Sequence, residues 1–199
     1  VSRATAAWLN SQSDAPSVII GHDTRFQGPA FTKHVAAVLA SSGVKVHMAD
    51  GFTTTPAVSW ATKEHGHTAG IVVTASHNPP QYNGFKIKAH FGGPATPDMI
   101  DAVEAELPKV DGELTITSYD DHVADGQIEM FDLQSDYVRL LKRQLDVDAI
   151  KEAGTRVAYD AMYGAGQGVV TELLGKARVT ELGHELNPGM YGQAPEPIE

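Results

Sequence analysis

The residues best suited to chemistry lie in one stretch, Ala69 to Lys86, which reads AGIVVTASHNPPQYNGFK. A β-branched apolar run stops abruptly at Ser76, His77 and Asn78, and Pro79 and Pro80 stiffen the turn. Each proline fixes its own φ, and Pro79 biases Asn78 away from the α region. A serine held by a rigid turn at the exit of a buried strand is a pre-positioned nucleophile. The adjacent histidine suggests a serine hydrolase, and two arguments reject that reading. Neighbours on a strand point to opposite faces, which places His77 poorly for taking the Ser76 proton. Ser76 also follows Thr74 and Ala75, so a G-x-S-x-G elbow is absent.

Other constellations are weaker. Gly164-Ala165-Gly166-Gln167-Gly168, with Glu181 further on, looks like a dinucleotide fingerprint, but the third glycine would fall on Val169. A tight turn with close helix packing is the better reading. His65-x-His67 lacks a third metal ligand in register and reads as a solvent-facing pair on a surface turn. Asp120-Asp121 and Asp146-x-Asp148 read as loop and helix-start carboxylates.

The elements that must position Ser76 follow from periodicity. Residues 2–10 read as a helix and Ser17 to Gly21 as a buried strand. A helix opens at Pro29, with Phe31, Val35, Val38 and Leu39 on one face and Gly43 as its cap. Val44 to Met48 is a strand ending at Asp50-Gly51. Thr53-Thr54-Thr55-Pro56 opens a helix to Glu64, and residues 69–74 form the third strand. This alternation predicts an α/β fold, a three-layer αβα with a mostly parallel sheet. Polar residues then leave three strand exits, at Asp23 and Arg25, Thr53 to Thr55, and Ser76 to Asn78. In an open parallel sheet those exits share the edge where ligands bind.

Beyond Asn83-Gly84, Phe85 to Lys88 alternates and returns along the sheet, and Thr96-Pro97 opens a helix carrying Ile100, Val103 and Leu107 to Pro108. Residues 111–130 read as loop with one or two short strands. Asp132 to Leu145 is a helix, followed by a shorter turn or helix to Ala153. A second α/β unit then begins: strand 156–159, glycine-rich turn 160–168, helix 169–176, strand 177–182, and a proline-rich tail. The expected division is 1–133, a serine-bearing domain, and 134–199, a linking helix and the first part of an incomplete second α/β domain. One strand-helix-strand unit leaves a sheet face and an edge uncovered.

Composition bounds the function. The 199 residues carry a formal charge of −10 with no basic cluster, which argues against a nucleic-acid partner. There is no cysteine, so disulfide and thiolate chemistry are excluded. No apolar run reaches the ~18 residues of a membrane span, and no signal pattern opens the chain. The expectation is a soluble, cytoplasmic protein.

Thr74-Ala75-Ser76-His77-Asn78-Pro79-Pro80, followed by Asn83-Gly84-Phe85-Lys86, closely resembles the serine loop of the α-D-phosphohexomutases, the phosphoglucomutase and phosphomannomutase superfamily. Gly21-x-Asp23-x-Arg25 is similar to its first-domain arginine loop, and Asp50-Gly51 through Thr55-Pro56-Ala57 to its second strand exit. Asp160-x-Met162-x-Gly164-Ala165-Gly166 resembles the opening of its second domain, and Ala194-Pro195-Glu196-Pro197 a loop within it.

The resemblance implies a phosphoserine enzyme that interconverts hexose 1-phosphate and hexose 6-phosphate, glucose first and mannose second. Ser76 would give its phosphoryl group to the sugar, form a bisphosphate, and recover the other phosphate. Mg²⁺ is the implied metal, held through the Ser76 phosphate, and glucose 1,6-bisphosphate the implied activator. Lys86 would be the charge partner and acid/base, with His77 and Asn78 shaping the loop. Arg25, Asn78 and Asn83 are the implied substrate- or phosphate-binding residues. For Arg25, three roles stay open: a phosphate-facing cation, a support behind the site, or a tie between loops. The family's glycine/arginine segment is expected before residue 1. Its Asp-rich metal loop, sugar-selecting loop and fourth domain are expected beyond Glu199, so this stretch alone is expected to be inactive. The alternatives are a non-catalytic phosphosugar-binding or interaction module that keeps the serine loop without a metal site, and a nucleotide-cofactor enzyme using residues 164–168.

Overall fold

The computed structural model describes residues 1–110, 112–193 and 195–196. Two strands form its centre, β1 (Ser17–His22) and β3 (Ala69–Val73), the latter buried along its whole length. They are flanked by β2 (Lys45–Phe52), β4 (Phe85–Ala89) and β5 (Ile128–Phe131) in the order β4-β3-β1-β2-β5. β2, β1, β3 and β5 run parallel, and β4 pairs antiparallel to β3 with Val72 opposite Lys86. β2 is longer than expected. A register irregularity opposite Ile20–His22 lets it rejoin the ladder at Phe52.

Period-2 alternation divides the core between the two sheet faces. Val18 and Ile20 face α1 (Ser2–Gln12) and α2 (Gly28–Ser41), while Ile19 and Val72 face α3 (Thr55–Glu64). Thr54 caps α3 by accepting from Ala57 N–H. Glycine allows α3 to approach the sheet closely. A Cβ at Gly70 would sit 2.1 Å from Thr62 Oγ1, and one at Gly21 2.4 Å from Thr53 Cγ2.

Three local expectations fail. Phe31 is 47% exposed, because the buried stripe of α2 runs through Gly28, Thr32 and Val35. α4 (Pro97–Glu104) stops before Leu107, which sits exposed in a separate 3-10 turn at Leu107–Lys109. Residues 119–124 form a helix, α5 (Tyr119–Ala124), where loop or strand was expected. Six residues are too few to show a 3.6 period, yet a cap is present: Ser118 Oγ accepts from Asp121 N–H at 3.1 Å.

The second unit contains α7 (Val147–Glu152), β6 (Val157–Asp160), α8 (Val169–Leu174) and β7 (Val179–Leu182), with β6 and β7 parallel. α6 (Leu133–Gln144) serves both units. Its Leu133 belongs to the core beneath α3, and its Val138 packs with Leu173, Leu174 and Val179. Ala194 and Pro197 of the proline-rich tail lie outside the described residues.

Candidate active site

Ser76 sits three residues past the end of β3, exposed, with φ 59°. A left-handed serine is uncommon, and neighbouring bonds hold it there. Its N–H donates to Thr74 Oγ1 at 3.1 Å, while the Thr74 hydroxyl donates to Asp23 Oδ2 at 2.5 Å. Asn78 N–H and Nδ2 both reach the Ala75 carbonyl, at 3.1 and 2.9 Å, and Tyr82 N–H closes a second turn on Pro79 O.

Arg25 lies under this loop with its side chain fully buried. Nε donates to Asp23 Oδ2 at 3.0 Å. Nη1 donates to Pro79 O and Tyr82 O at 2.8 and 3.1 Å, and Nη2 to Ser76 O and Asn78 O at 2.7 and 2.8 Å. A guanidinium has five N–H donors, and all five are engaged. Of the three roles left open by the sequence, this geometry performs the tie between loops. No N–H remains for a phosphate.

The three strand exits meet in a cleft of about 370 Å³ lined by Asp23, Thr24, Thr53, Thr54, Thr55, Thr74, Ser76 and His77. Its far wall is the second unit's turn, Ala161, Met162 and Gly164 to Gly166. Asn78, Asn83 and Lys86 are not among the lining residues. Asn83 Nδ2 donates to Phe26 O at 3.2 Å and its Oδ1 accepts from Gly84 N–H, so it ties the loop to the α2 entry. Lys86 is exposed on β4 and opposes Val72, on the sheet face that carries α3. Two residues further on, burial and then the Lys86 charge push the Lys88 ammonium below its usual range.

The strand argument against His77 does not hold. β3 ends at Val73, and the left-handed turn brings His77 Nδ1 to 3.4 Å from Ser76 Oγ. What excludes a hydrolase elbow is the missing flanking glycines. Thr74 and Thr24 were not singled out as site residues in the sequence. Thr74, two before the serine, carried a legible signal as a Ser/Thr turn former.

The glycine-rich turn is an unsuitable pyrophosphate site. Glu181 accepts from Gly168 N–H at 2.6 Å and from the Thr171 hydroxyl at 2.5 Å, placing a carboxylate where a dinucleotide phosphate would have to lie. His65 is exposed as expected, with its Nε2 2.8 Å from Asp136 Oδ2, but His67 does not face solvent. His67 is 3% exposed, its Nδ1 is 3.1 Å from Ser17 Oγ, and its ring stands edge-on to His47 at 4.8 Å. The reason is the bond of His67 N–H to Thr62 O, which folds the turn back under the start of β3. This cluster lies at the opposite end of the strands from Ser76. Among the described residues no group of three or more His, Asp or Glu side chains could hold a metal ion, and no described helix is long and apolar enough to cross a membrane.

Comparison with known proteins agrees with this architecture. Residues 1–113 match the family model "Phosphoglucomutase/phosphomannomutase, alpha/beta/alpha domain I", and residues 135–199 match that of domain II. The chain is 30% identical over 178 residues to a phosphoglucomutase of Staphylococcus saprophyticus, covering 87% of this chain and 32% of that protein. A phosphoglucomutase of Staphylococcus aureus strain USA300 is 29% identical over 171 residues, with 85% and 31% covered. The chain thus spans about a third of the length of these relatives. A phosphomannomutase-type crystal structure from Thermus thermophilus superposes with a TM-score of 0.87 at 32% identity, over 99% of this chain and 44% of that one. The Paramecium phosphoglucomutase parafusin shares the fold, with a TM-score of 0.82 at 20% identity, over 99% and 41%. With two matched domain models, in order and over most of its length, the chain belongs to the phosphoglucomutase/phosphomannomutase family.

Proposed function

We propose that this chain is the phosphoserine-bearing part of a phosphohexomutase, with Ser76 as the residue that carries the phosphoryl group. The observation that carries the reading is the contrast between Ser76 and its support. The serine is exposed in a cleft, while a fully buried arginine fixes its loop through carbonyls on both sides. Phosphoryl transfer needs in-line positioning and charge stabilisation more than covalent ingenuity, and this loop is built for position.

In the proposed reaction a sugar hydroxyl attacks the phosphorus of phospho-Ser76, and the P–O bond to Ser76 Oγ breaks. The hydroxyl proton passes to a base, the departing Ser76 Oγ takes up a proton to become a hydroxyl again, and a hexose bisphosphate results. Reversal with the sugar's other phosphate restores phospho-Ser76. Lys86, on β4 and outside the cleft lining, is the proposed charge partner and acid/base, and His77 Nδ1 lies 3.4 Å from Oγ. Glucose is the proposed hexose, with mannose second, and glucose 1,6-bisphosphate the proposed intermediate; the relatives' names support the sugar class. A cytoplasmic location is proposed on the same analogy.

The described residues do not build a Mg²⁺ site. Asp23, the carboxylate on the cleft wall, already bonds Arg25 and Thr74, and no three-ligand cluster accompanies Ser76. No step is assigned to the metal. The 199-residue chain by itself is proposed to lack mutase turnover.

Intact-mass analysis of the full-length protein after incubation with glucose 1,6-bisphosphate tests the reading. One added phosphate is expected, and its loss in Ser76→Ala. No phosphate, or an undiminished one in Ser76→Ala, would overturn it.

A further inference from the structure

The cleft's second wall is backbone under strain. Met162 and Tyr163 are consecutive non-glycine residues with φ 49° and 58°. A left-handed conformation is unfavourable for an L-residue, so such a pair persists only where its surroundings over-determine it. Three bonds within the second unit hold it. Asp160 Oδ1 accepts from Met162 N–H at 2.9 Å, Tyr163 N–H donates to Gly183 O at 2.8 Å, and Gly164 N–H donates to Ala161 O at 2.8 Å. A fourth bond crosses from the first unit: the Thr24 hydroxyl donates to the Tyr163 carbonyl at 2.7 Å.

Thr24 is 2% exposed, and a buried hydroxyl needs an acceptor. Its neighbours give the bond its meaning. Asp23 and Arg25 on either side fix the Ser76 loop, through Thr74 Oγ1 on one hand and four loop carbonyls on the other. One three-residue segment at the exit of β1 therefore anchors the nucleophile's loop and the wall opposite it.

We propose that Thr24 is a positioning residue: its buried hydroxyl, by holding the Tyr163 carbonyl, sets the separation between Ser76 and the Ala161–Gly166 wall. Assigning that cleft to a hexose phosphate rests on the function proposed above; the geometric role does not. Removing the hydroxyl leaves the Tyr163 carbonyl without its partner across the cleft, so the wall is free to move as a unit while the Ser76 loop keeps its Arg25 anchor.

The absence of cysteine makes a direct measurement simple. Glu104→Cys and Lys176→Cys place nitroxide labels at exposed positions, one on each unit, for pulsed electron-electron distance measurement. A single narrow distribution is expected with Thr24 present and with Thr24→Ser. Thr24→Val is expected to broaden and lengthen it while amide exchange in β1 and β3 stays unchanged. A Thr24→Val distribution superimposable on that of the parent would overturn the proposal, as would general loss of exchange protection in β1 and β3. Should Thr24→Val fail to fold, the unsubstituted chain gives the same test by NMR. A slowly exchanging Thr24 hydroxyl proton with a cross-peak to the Gly164 amide supports the bond, and its absence contradicts it. Neither readout involves phosphate, so failure here and failure of Ser76 phosphorylation are distinguishable.

Discussion

Arg25 Nη2 donates to the carbonyl of Ser76 at 2.7 Å, from a side chain with no exposed surface. The Ser76 backbone is thus held from below by a buried charge, and its hydroxyl is left to solvent. Truncating Arg25 would strip Asp23 of its charge partner and four loop carbonyls of their side-chain donor together. Breaking a buried charge pair of this kind costs about 3–5 kcal/mol. Arg25→Met should lower urea-unfolding stability by that order and abolish Ser76 phosphorylation. Arg25→Lys should recover little of either, because an ammonium has three donors against the guanidinium's five. Full stability in Arg25→Lys would refute the clamp.

Thr74 joins two parts of the same device, donating to Asp23 and accepting from Ser76 N–H. Thr74→Val keeps the volume and removes both bonds. A hydrogen bond to a charged acceptor contributes about 1.5–3 kcal/mol, and a loss in that range is expected by chemical denaturation. Thr74→Ser should restore most of it.

The close approach of α3 to the sheet gives a packing test. At Gly70 an added methyl would meet Thr62 Oγ1 at 2.1 Å and Val58 Cγ1 at 3.1 Å. Gly70→Ala should destabilise the chain by about 1–3 kcal/mol, the usual penalty of overpacking. The double variant Gly70→Ala with Thr62→Ala should recover part of that loss. No recovery would mean that the strain lies elsewhere.

Acid sensitivity should originate at the other end of the strands. Burial, then the charges of His47 and His65, push the His67 imidazole down from 6.5 to about 4. Ser17 on β1, His47 on β2 and His65 after α3 face it; His47 in turn pairs with Glu129 of β5, and His65 with Asp136 of α6. The folded state favours the neutral ring, so this contribution is complete above pH 6.5. It is lost as pH falls toward 4, because only the unfolded chain readily takes up the proton. Allowing for solvent screening, the loss is about 2 kcal/mol. Denaturant titrations from pH 8 to pH 4 should show it, and His67→Gln should flatten the slope in that window. An equal slope in both proteins would exclude His67 as the source.

Long buried strands and the serine loop were legible because their signals are local. Residues 17–21 and 69–74 are apolar runs bounded by turns, and Ser76-His77-Asn78-Pro79-Pro80 is a contiguous motif. What escaped depends on distant partners. The five bonds of Arg25 reach residues 51 to 57 positions away, except for the local pair with Asp23. The burial of His67 depends on Ser17 and His47, and the Thr24 bond crosses 139 residues. Helix α5 was missed for the opposite reason, being too short for periodicity to outweigh its polar composition.

Under the proposed function, Ser76 is the residue that accepts the phosphoryl group. Tandem mass spectrometry of the full-length protein, digested after incubation with glucose 1,6-bisphosphate, locates the phosphate directly. Fragment ions are expected to place it on Ser76, with an unmodified Ser76 peptide in Arg25→Met. A phosphate placed on another residue while Ser76 stays unmodified would contradict that assignment.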